Sequence, residues 1–248
     1  MTVAYALELA RAIPGGKVLV AVSGRKDSLA TLDICVRALG AANVVGFFMY
    51  LVQGLECEMR SIRAAERRHG VQILTVPHVA LSTYYKGAIF RPMSVEAHAT
   101  RNLEVTDLED YLRRKTGIDW FAYGERAADG MVRNAKLKRI QGRDDKARRV
   151  YPIWRWKKAD VFGYLAARKI PIPKSLGGSV FGGGLVLDGP HLDWLENNAP
   201  RDLARVEAKF PFVRAELMRW RAAQKEKARA EAQEQAGARE EREGSGSG

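Results

Sequence analysis

Short apolar runs alternate with helical stripes through the first 175 residues of the chain. Strands are predicted at residues 17–22, 44–52, 71–77 and 118–123, with a short fifth strand at 150–153. Between the first two strands, apolar residues recur at Leu29, Leu32, Val36 and Leu39, a spacing typical of an amphipathic helix. Such alternation favours a parallel sheet covered by helices on both faces. The pattern therefore predicts an α/β fold with a doubly wound, mostly parallel, five-stranded Rossmann-like sheet.

The pattern changes after residue 175. Residues 175–190 are rich in glycine, which favours a loop, and a helical pattern returns after Pro211. Residues 225–243 are mostly Ala, Glu, Gln, Arg and Lys without an apolar stripe, and residues 244–248 resemble a linker. We therefore expect an α/β domain over 1–175, a glycine-rich loop with a helical C-terminal extension over 176–224, and a charged tail over 225–248.

The composition indicates a protein that binds anions. The 248 residues carry a net charge of +12, which attracts nucleotides, nucleic acid and phosphorylated substrates. No apolar stretch is long enough for a membrane span, and residues 1–16 lack the layout of a signal peptide. A cytoplasmic protein without a membrane partner is the expectation.

Cysteine and histidine give no sign of a metal centre. The chain has two cysteines, Cys35 and Cys57, and four histidines without ligand spacing. These residues are too few and too scattered for a thiolate zinc site or a cluster held by four cysteines. We therefore expect neither zinc nor an iron–sulfur cluster.

The first predicted strand ends in the sequence Ser-Gly-Arg-Lys-Asp-Ser at residues 23–28, and a helical stripe follows at once. A strand–turn–helix junction gathers backbone N–H groups and the positive end of the helix dipole, so it attracts anions. The stretch matches neither the Walker A loop nor the dinucleotide pattern G-x-G-x-x-G. It is nevertheless predicted to hold a phosphate group.

This stretch resembles the S-G-G-x-D-S motif of the PP-loop ATP pyrophosphatases. Those enzymes bind ATP, grip its pyrophosphate end and usually adenylate a substrate. Arg25 stands where the motif has its second glycine. Glycine lets a phosphate approach the backbone closely, whereas arginine adds a side chain that either supplies another charge or alters the site.

Two later segments resemble the phosphoadenosine phosphosulfate (PAPS) reductase branch of the same superfamily. Residues 150–165, V-Y-P-I-W-R-W-K-K-A-D-V-F-G-Y-L, and the following I-P-I-P are similar to that branch's Y-P-[LI]-x-x-W segment. Gly124, Arg126 and Arg133 fit its G-x-R-x-x-E-S-x-x-R signature, although Asp129-Gly130 replaces the usual Glu-Ser. Gly54 corresponds to a glycine after the second strand. The resemblance spans roughly residues 17 to 175.

The resemblance implies a set of site residues. The nucleotide-binding candidates are Ser23, Gly24, Arg25, Lys26, Asp27, Ser28, Gly54, Gly124, Arg126 and Arg133. Lys26, Asp27 and Arg126 are the catalytic candidates among them, and Asp27 is also the candidate magnesium ligand, because Mg²⁺ prefers oxygen. The alternatives are a structural carboxylate at a helix start for Asp27 and a surface salt-bridge cluster for the arginines.

The resemblance also implies ATP and magnesium as cofactors, adenylation with pyrophosphate release as the activity, and a place in sulfur transfer or nucleic-acid modification. PAPS reductases use a C-terminal cysteine, but no cysteine follows Cys57. A sulfonucleotide reductase that uses Cys57 or a partner thiol is therefore one alternative. A non-catalytic nucleic-acid-binding protein that reuses the fold is another. The acceptor stays open, with nucleic acid and a sulfur-carrier protein among the candidates.

Residues 133–149 hold eight basic residues against two acidic ones. This basic run has three interpretations: a mobile lid over the phosphates, a contact surface for nucleic acid, or a solvated loop. Basic clustering fits binding to a phosphate backbone. The run contains no aromatic residue, so base stacking from within it is not expected.

Overall fold

A computed structural model describes residues 3–99, 101–172 and 186–244, with side chains through residue 233. Its strands are β1 (Val18–Ala21), β2 (Val44–Tyr50), β3 (Ile73–Pro77), β4 (Phe121–Ala122), β5 (Arg143–Asp144) and β6 (Arg149–Val150). Its helices are α1 (Val3–Arg11), α2 (Lys26–Leu39), α3 (Glu56–His69), α4 (Ala80–Lys86), α5 (Val95–Ala99), α6 (Val105–Thr116), α7 (Met131–Arg139), α8 (Lys158–Ala167), α9 (Gly189–Asn198), α10 (Pro200–Lys209) and α11 (Val213–Gly244).

The six strands form one sheet in the order β3-β2-β1-β4-β6-β5. All neighbours are parallel except β5, which pairs antiparallel with β6. The predicted doubly wound α/β fold is confirmed, and the five predicted strands correspond to β1, β2, β3, β4 and β6. The additional strand β5 has only two residues, Arg143 and Asp144, both polar, so the apolar pattern gave no sign of it.

Helices cover both faces of the sheet. Because neighbouring residues of a strand point to opposite faces, consecutive residues of β1 such as Val18, Leu19 and Val20 are all buried. Val18 and Val20 belong to a core formed with α1, α2 and α8. Leu19 lies on the other face, in a cluster that includes Leu108 and Leu112 of α6. This two-sided packing explains why the strands are continuous apolar runs.

The C-terminal helices confirm the predicted helical extension. Helices α9, α10 and α11 share an apolar cluster with the segment after β2, including Leu51 and Leu55. The carboxylate of Asp202 on α10 accepts hydrogen bonds from the backbone N–H groups of Glu56 (3.0 Å) and Cys57 (2.8 Å), and Asp202 is only 3% exposed. A residue of the extension thus caps the start of α3.

Most of the glycine-rich segment predicted at 175–190 lies outside the described residues, as do residues 245–248 of the linker-like end. Within the described ranges, no helix has both the length and the apolar character needed to cross a membrane.

Candidate functional site

A cavity of about 870 Å³ lies at the carboxyl ends of the central strands. Strand β1 has β2 on one side and β4 on the other, so the connections that leave the carboxyl ends of β1 and β4 run in opposite directions along the sheet. Ligands of open α/β sheets bind where the strand order reverses in this way. We call it the β1–β4 cavity; its lining is Ala21, Val22, Ser23, Lys26, Asp27, Ser28, Phe47, Phe48, Met49, Leu51, His78, Ala80, Tyr84, Gly124, Glu125, Arg126, Asp129, Arg133, Lys158 and Val186.

The turn between β1 and α2 is folded around one hydroxyl group. Ser28 Oγ accepts hydrogen bonds from the backbone N–H groups of Ser23 (3.1 Å) and Arg25 (3.2 Å), and it donates to the Arg25 carbonyl oxygen (3.0 Å). The first N–H groups of α2 have no acceptor within the helix. The start of α2 borders the cavity, since Lys26, Asp27 and Ser28 all belong to its lining, and a helix N-terminus of this kind is the usual chemistry of an anion site.

Gly24 is required for this turn on two grounds. Its φ of +70° lies in the left-handed region, and an added Cβ would come within 2.2 Å of Ser61 Oγ on α3. The turn therefore lies directly against α3, and a larger residue at position 24 would separate the two.

Gly24→Ala is expected to weaken the turn more than the left-handed conformation alone would do. The control is Gly15→Ala, because Gly15 has a similar φ of +74° but open space around its Cβ position. We expect Gly15→Ala to cost about 1 kcal/mol and Gly24→Ala to cost at least about 2 kcal/mol. Urea unfolding measures both; equal losses would show that Ser61 gives way freely.

Charged groups from two loops meet in the β1–β4 cavity. Lys26 pairs with the Asp27 carboxylate, and Arg126 Nε lies 3.0 Å from Asp27 Oδ1, without the alignment of a hydrogen bond. Arg126 Nη2 donates to Asp129 Oδ1 at 2.5 Å. Arg126 is only 6% exposed, yet its Nη1 has no hydrogen-bond partner. Arg126 Nη1 is thus a buried donor without an acceptor among the described residues, a condition that is uncommon for buried polar groups.

Arg25 does not line the β1–β4 cavity. Its guanidinium lies near Glu58 and Cys57 of α3; partial burial lowers the pKa of Arg25, and the Glu58 charge opposes that shift. The side chain that replaces the motif's glycine is thus turned towards α3, away from the cavity. It adds no charge to the cavity wall.

The structure brings most of the candidate site residues together. Ser23, Lys26, Asp27, Ser28, Gly124, Arg126 and Arg133 all line the β1–β4 cavity, whereas Gly24, Arg25 and Gly54 do not. Gly124 packs against the start of α2, because a Cβ there would come within 3.0 Å of the Asp27 carbonyl group. Gly54 is exposed, and its carbonyl oxygen accepts a hydrogen bond from Arg205.

Sequence reasoning missed the apolar part of the cavity lining. Phe47, Phe48, Leu51 and Tyr84 contribute apolar surface to the lining of the cavity. His78 also lies there; its Nδ1 accepts a hydrogen bond from the Ala80 N–H (3.0 Å), and burial lowers its pKa. The available signal was position, since His78 directly follows β3 and a strand end in this fold faces the ligand.

The basic run at 133–149 consists largely of regular structure, because it contains most of α7 and both strands of the edge hairpin. Arg149 forms a bidentate pair with buried Glu109 (2.8 and 2.9 Å), and Arg143 lies over the Trp120 ring. Among the described residues, four basic side chains of the run have no polar or aromatic partner: Arg133, Lys138, Arg139 and Lys146. Of these four, Arg133 alone lines the β1–β4 cavity.

The residues present do not fit a magnesium ion held by the protein alone. Both carboxylate oxygens of Asp27 face a cation, one from Lys26 and one from Arg126. Within the described residues, no group of three or more His, Cys, Asp or Glu side chains could hold a metal. A magnesium ion in this cavity would therefore enter with the phosphates of a substrate, because Mg²⁺ is commonly bound by substrate phosphates and few carboxylates.

Comparisons with known proteins agree with the motifs. Residues 17–176, more than half of the chain, match the phosphoadenosine phosphosulfate reductase domain family. A search of curated proteins gave no match. Among solved structures, the chain is similar to the U34-tRNA thiolase NcsA from Methanococcus maripaludis with its [4Fe-4S] cluster, with 12% sequence identity over 85% of this chain and 76% of that chain and a TM-score of 0.46.

The expectation of no iron–sulfur cluster is contradicted by this comparison, because the thiolase structure contains a [4Fe-4S] cluster. The cysteine count was an unsafe basis for that exclusion. Cluster ligands other than cysteine occur, as in the histidine-ligated Rieske centres, so two cysteines in one chain do not decide the question. The exclusion is withdrawn.

Proposed function

The chain belongs to the phosphoadenosine phosphosulfate reductase domain family, and from this premise we propose that it binds ATP in the β1–β4 cavity and transfers the adenylate group to an acceptor, releasing pyrophosphate. One observation carries the proposal: Arg126 is buried in the cavity wall with an unused Nη1 donor. A guanidinium fork of this kind matches the oxygens of a phosphate group.

The cavity has complementary sides for the two ends of ATP. The turn at residues 23–28, Lys26 and Arg126 form a cationic side, which suits the triphosphate. Phe48, Leu51 and Tyr84 form an apolar side, which suits the base. The volume of about 870 Å³ falls within the range of small-molecule sites.

The proposed reaction is an in-line displacement at the α-phosphorus. An acceptor oxygen forms a bond to that phosphorus as the bond to the bridging α–β oxygen breaks, and pyrophosphate leaves with the electron pair. Negative charge grows on the leaving pyrophosphate, where the helix-start N–H groups, Lys26 and Arg126 can stabilise it. In this scheme, Asp27 and Asp129 hold the Arg126 guanidinium in position through their contacts with Nε and Nη2.

The sulfonucleotide reductase alternative needs a thiolate close to the nucleotide. Cys57 lines a different cavity. The pKa of its thiol is raised mainly by burial and, to a smaller extent, by a hydrogen bond to Asp202. A thiol held in its protonated form is a weak nucleophile. Both observations count against Cys57 in that role.

The acceptor is proposed to be nucleic acid or a sulfur-carrier protein. The unpaired side chains of Arg133, Lys138, Arg139 and Lys146 favour nucleic acid mildly, because they are available for phosphate contacts. The same four residues would serve the non-catalytic alternative, in which the fold binds nucleic acid without turnover.

The test is to incubate the protein with α-labelled ATP, magnesium and candidate acceptors, and to separate the products. We expect AMP or an adenylated acceptor together with pyrophosphate, and we expect Lys26→Ala to abolish both. Release of ADP alone, or turnover unaffected by Lys26→Ala, would contradict adenylation in this cavity. Sulfite release from PAPS that depends on Cys57 would support the reductase alternative instead.

A further inference from the structure

We propose that the protein has a second ligand site, which binds a small organic anion with an apolar or aromatic body. The site is a cavity of about 820 Å³ between α3, the end of α8 and the α9–α10 junction. We call it the α3–α10 cavity. None of its lining residues lines the β1–β4 cavity.

Apolar side chains form the floor of the α3–α10 cavity. Leu29, Ala65 and Ile170 are each no more than 5% exposed, and the indole of Trp194 adds a half-buried aromatic surface. A floor of this kind, together with the volume, suits a ring or a short hydrocarbon chain.

The charge that is free to act on a ligand in this cavity is positive. Its two carboxylates are already engaged: Glu56 forms a bidentate pair with Arg63 (3.0 Å for both bonds), and Asp202 caps α3. Arg60 and Arg201 have no ion-pair or hydrogen-bond partner among the described residues, and both line the cavity. A ligand that neutralises these guanidinium groups must be an anion.

The positive charge is reinforced by Arg68. Its Nη2 donates to the carbonyl oxygen of Arg168 (2.6 Å), so its charge is not balanced by a carboxylate in that contact. Three exposed arginines therefore line the same cavity as the apolar floor, a combination that suits a carboxylate or a phosphate ester on an apolar body.

A buried histidine gives an independent sign of a ligand. The side chain of His69 is only 4% exposed, its Nδ1 lies 3.7 Å from Asp33 Oδ1, and it lines the cavity. Its other ring nitrogen, Nε2, is buried without a hydrogen-bond partner. Buried polar atoms normally have a partner, so this nitrogen is an unsatisfied group within the cavity wall.

The α3–α10 cavity lies on the α3 side of the turn at residues 23–28. Ser61 belongs to the lining of this cavity, and it is also the residue with which a Cβ at Gly24 would clash. A ligand here would therefore be separated from the β1–β4 cavity by that turn and the start of α2. The proposal is independent of adenylation, since it concerns other side chains.

The experiment measures binding of benzoate, phenyl phosphate and neutral benzyl alcohol to the full chain by calorimetry and ligand-observed NMR. We expect both anions to bind with dissociation constants of about 1 mM or below, and benzyl alcohol to bind at least about tenfold more weakly. Arg60→Gln and Arg201→Gln each remove an exposed charge and should each weaken phenyl phosphate binding by about threefold, and the double variant should weaken it by about tenfold. Arg67→Gln, an exposed arginine of the same helix outside the cavity lining, should leave it unchanged.

Arg126→Gln separates the two cavities, because it alters the β1–β4 cavity alone. Phenyl phosphate binding that survives Arg126→Gln and is weakened by Arg60→Gln supports the second site. Binding that is lost in Arg126→Gln and retained in Arg60→Gln would assign the probe to the β1–β4 cavity and overturn the proposal. Saturable binding of neither anion up to about 10 mM, or equal losses in Arg67→Gln and Arg60→Gln, would also overturn it.

Discussion

Under the proposed function, Arg126→Gln is expected to lower the rate of pyrophosphate release from ATP by a factor on the order of 10²–10³, because it removes a buried guanidinium from the cavity wall. Arg126 is 6% exposed, and two of its nitrogens already face Asp27 and Asp129. Nη1 is the group left for the ligand. Single-turnover kinetics with labelled ATP measure the loss, and calorimetry measures ATP affinity separately.

Arg133→Gln is the matched control for Arg126→Gln. Arg133 lines the same cavity but is exposed, so loss of its charge should change the rate by less than about threefold. Arg126→Lys keeps the charge without the planar fork and should recover only part of the rate. Circular dichroism checks that each variant is folded. A folded Arg126→Gln protein with the wild-type rate would contradict the assigned role.

Glu109→Gln is expected to destabilise the protein by about 2–4 kcal/mol, because Glu109 is a buried carboxylate shared by three elements. Its side chain is 2% exposed and accepts two hydrogen bonds from Arg149 (2.8 and 2.9 Å) and one from the Tyr123 hydroxyl (2.6 Å). The substitution leaves the Arg149 charge without its partner at the edge of β6. Urea unfolding, followed by circular dichroism, measures the change.

Asp110→Asn is the control for Glu109→Gln on the same helix. Asp110 also pairs with an arginine, Arg113, at 2.9 Å, but its side chain is 60% exposed. Exposed ion pairs contribute little, so we expect a change within about 0.5 kcal/mol. Equal losses in the two variants would show that burial of Glu109 is not the source of its contribution.

The apolar pattern was sufficient to predict the strands and the strand–turn–helix junction at residues 23–28. Buried parallel strands are apolar on both faces, and α2 shows its apolar spacing from Leu29 onwards. The motif order was also sufficient to place Lys26, Asp27 and Arg126 in one cavity, because each follows a strand that ends at the same edge of the sheet.

The sequence could not indicate where long side chains point. Arg25 follows the same strand as Lys26, but it is turned towards Glu58 of α3. Glu109 lies among the charged residues of α6, yet its carboxylate is buried and paired with Arg149. Such pairings depend on contacts between residues far apart in the chain, which periodicity does not record.

The basic run shows the same limit. Its charge left three interpretations open, a mobile lid, a nucleic-acid contact surface and a solvated loop, but Arg143 and Arg149 stabilise the fold through Trp120 and Glu109. Charge density alone therefore overstates the number of cations available to a polyanion. The unpaired subset could be identified only once the partners were located.

Asp202 joins parts of the chain that are 146 positions apart in sequence. A shortened protein that ends before Pro200 would leave the N–H groups of Glu56 and Cys57 without these acceptors, and the first turn of α3 would fray. The first turn of α3 lies beside Arg25, and Ser61 in the second turn of α3 packs against Gly24. We therefore expect the stability of the turn at residues 23–28 to depend on the C-terminal helices, so that local unfolding of one destabilises the other.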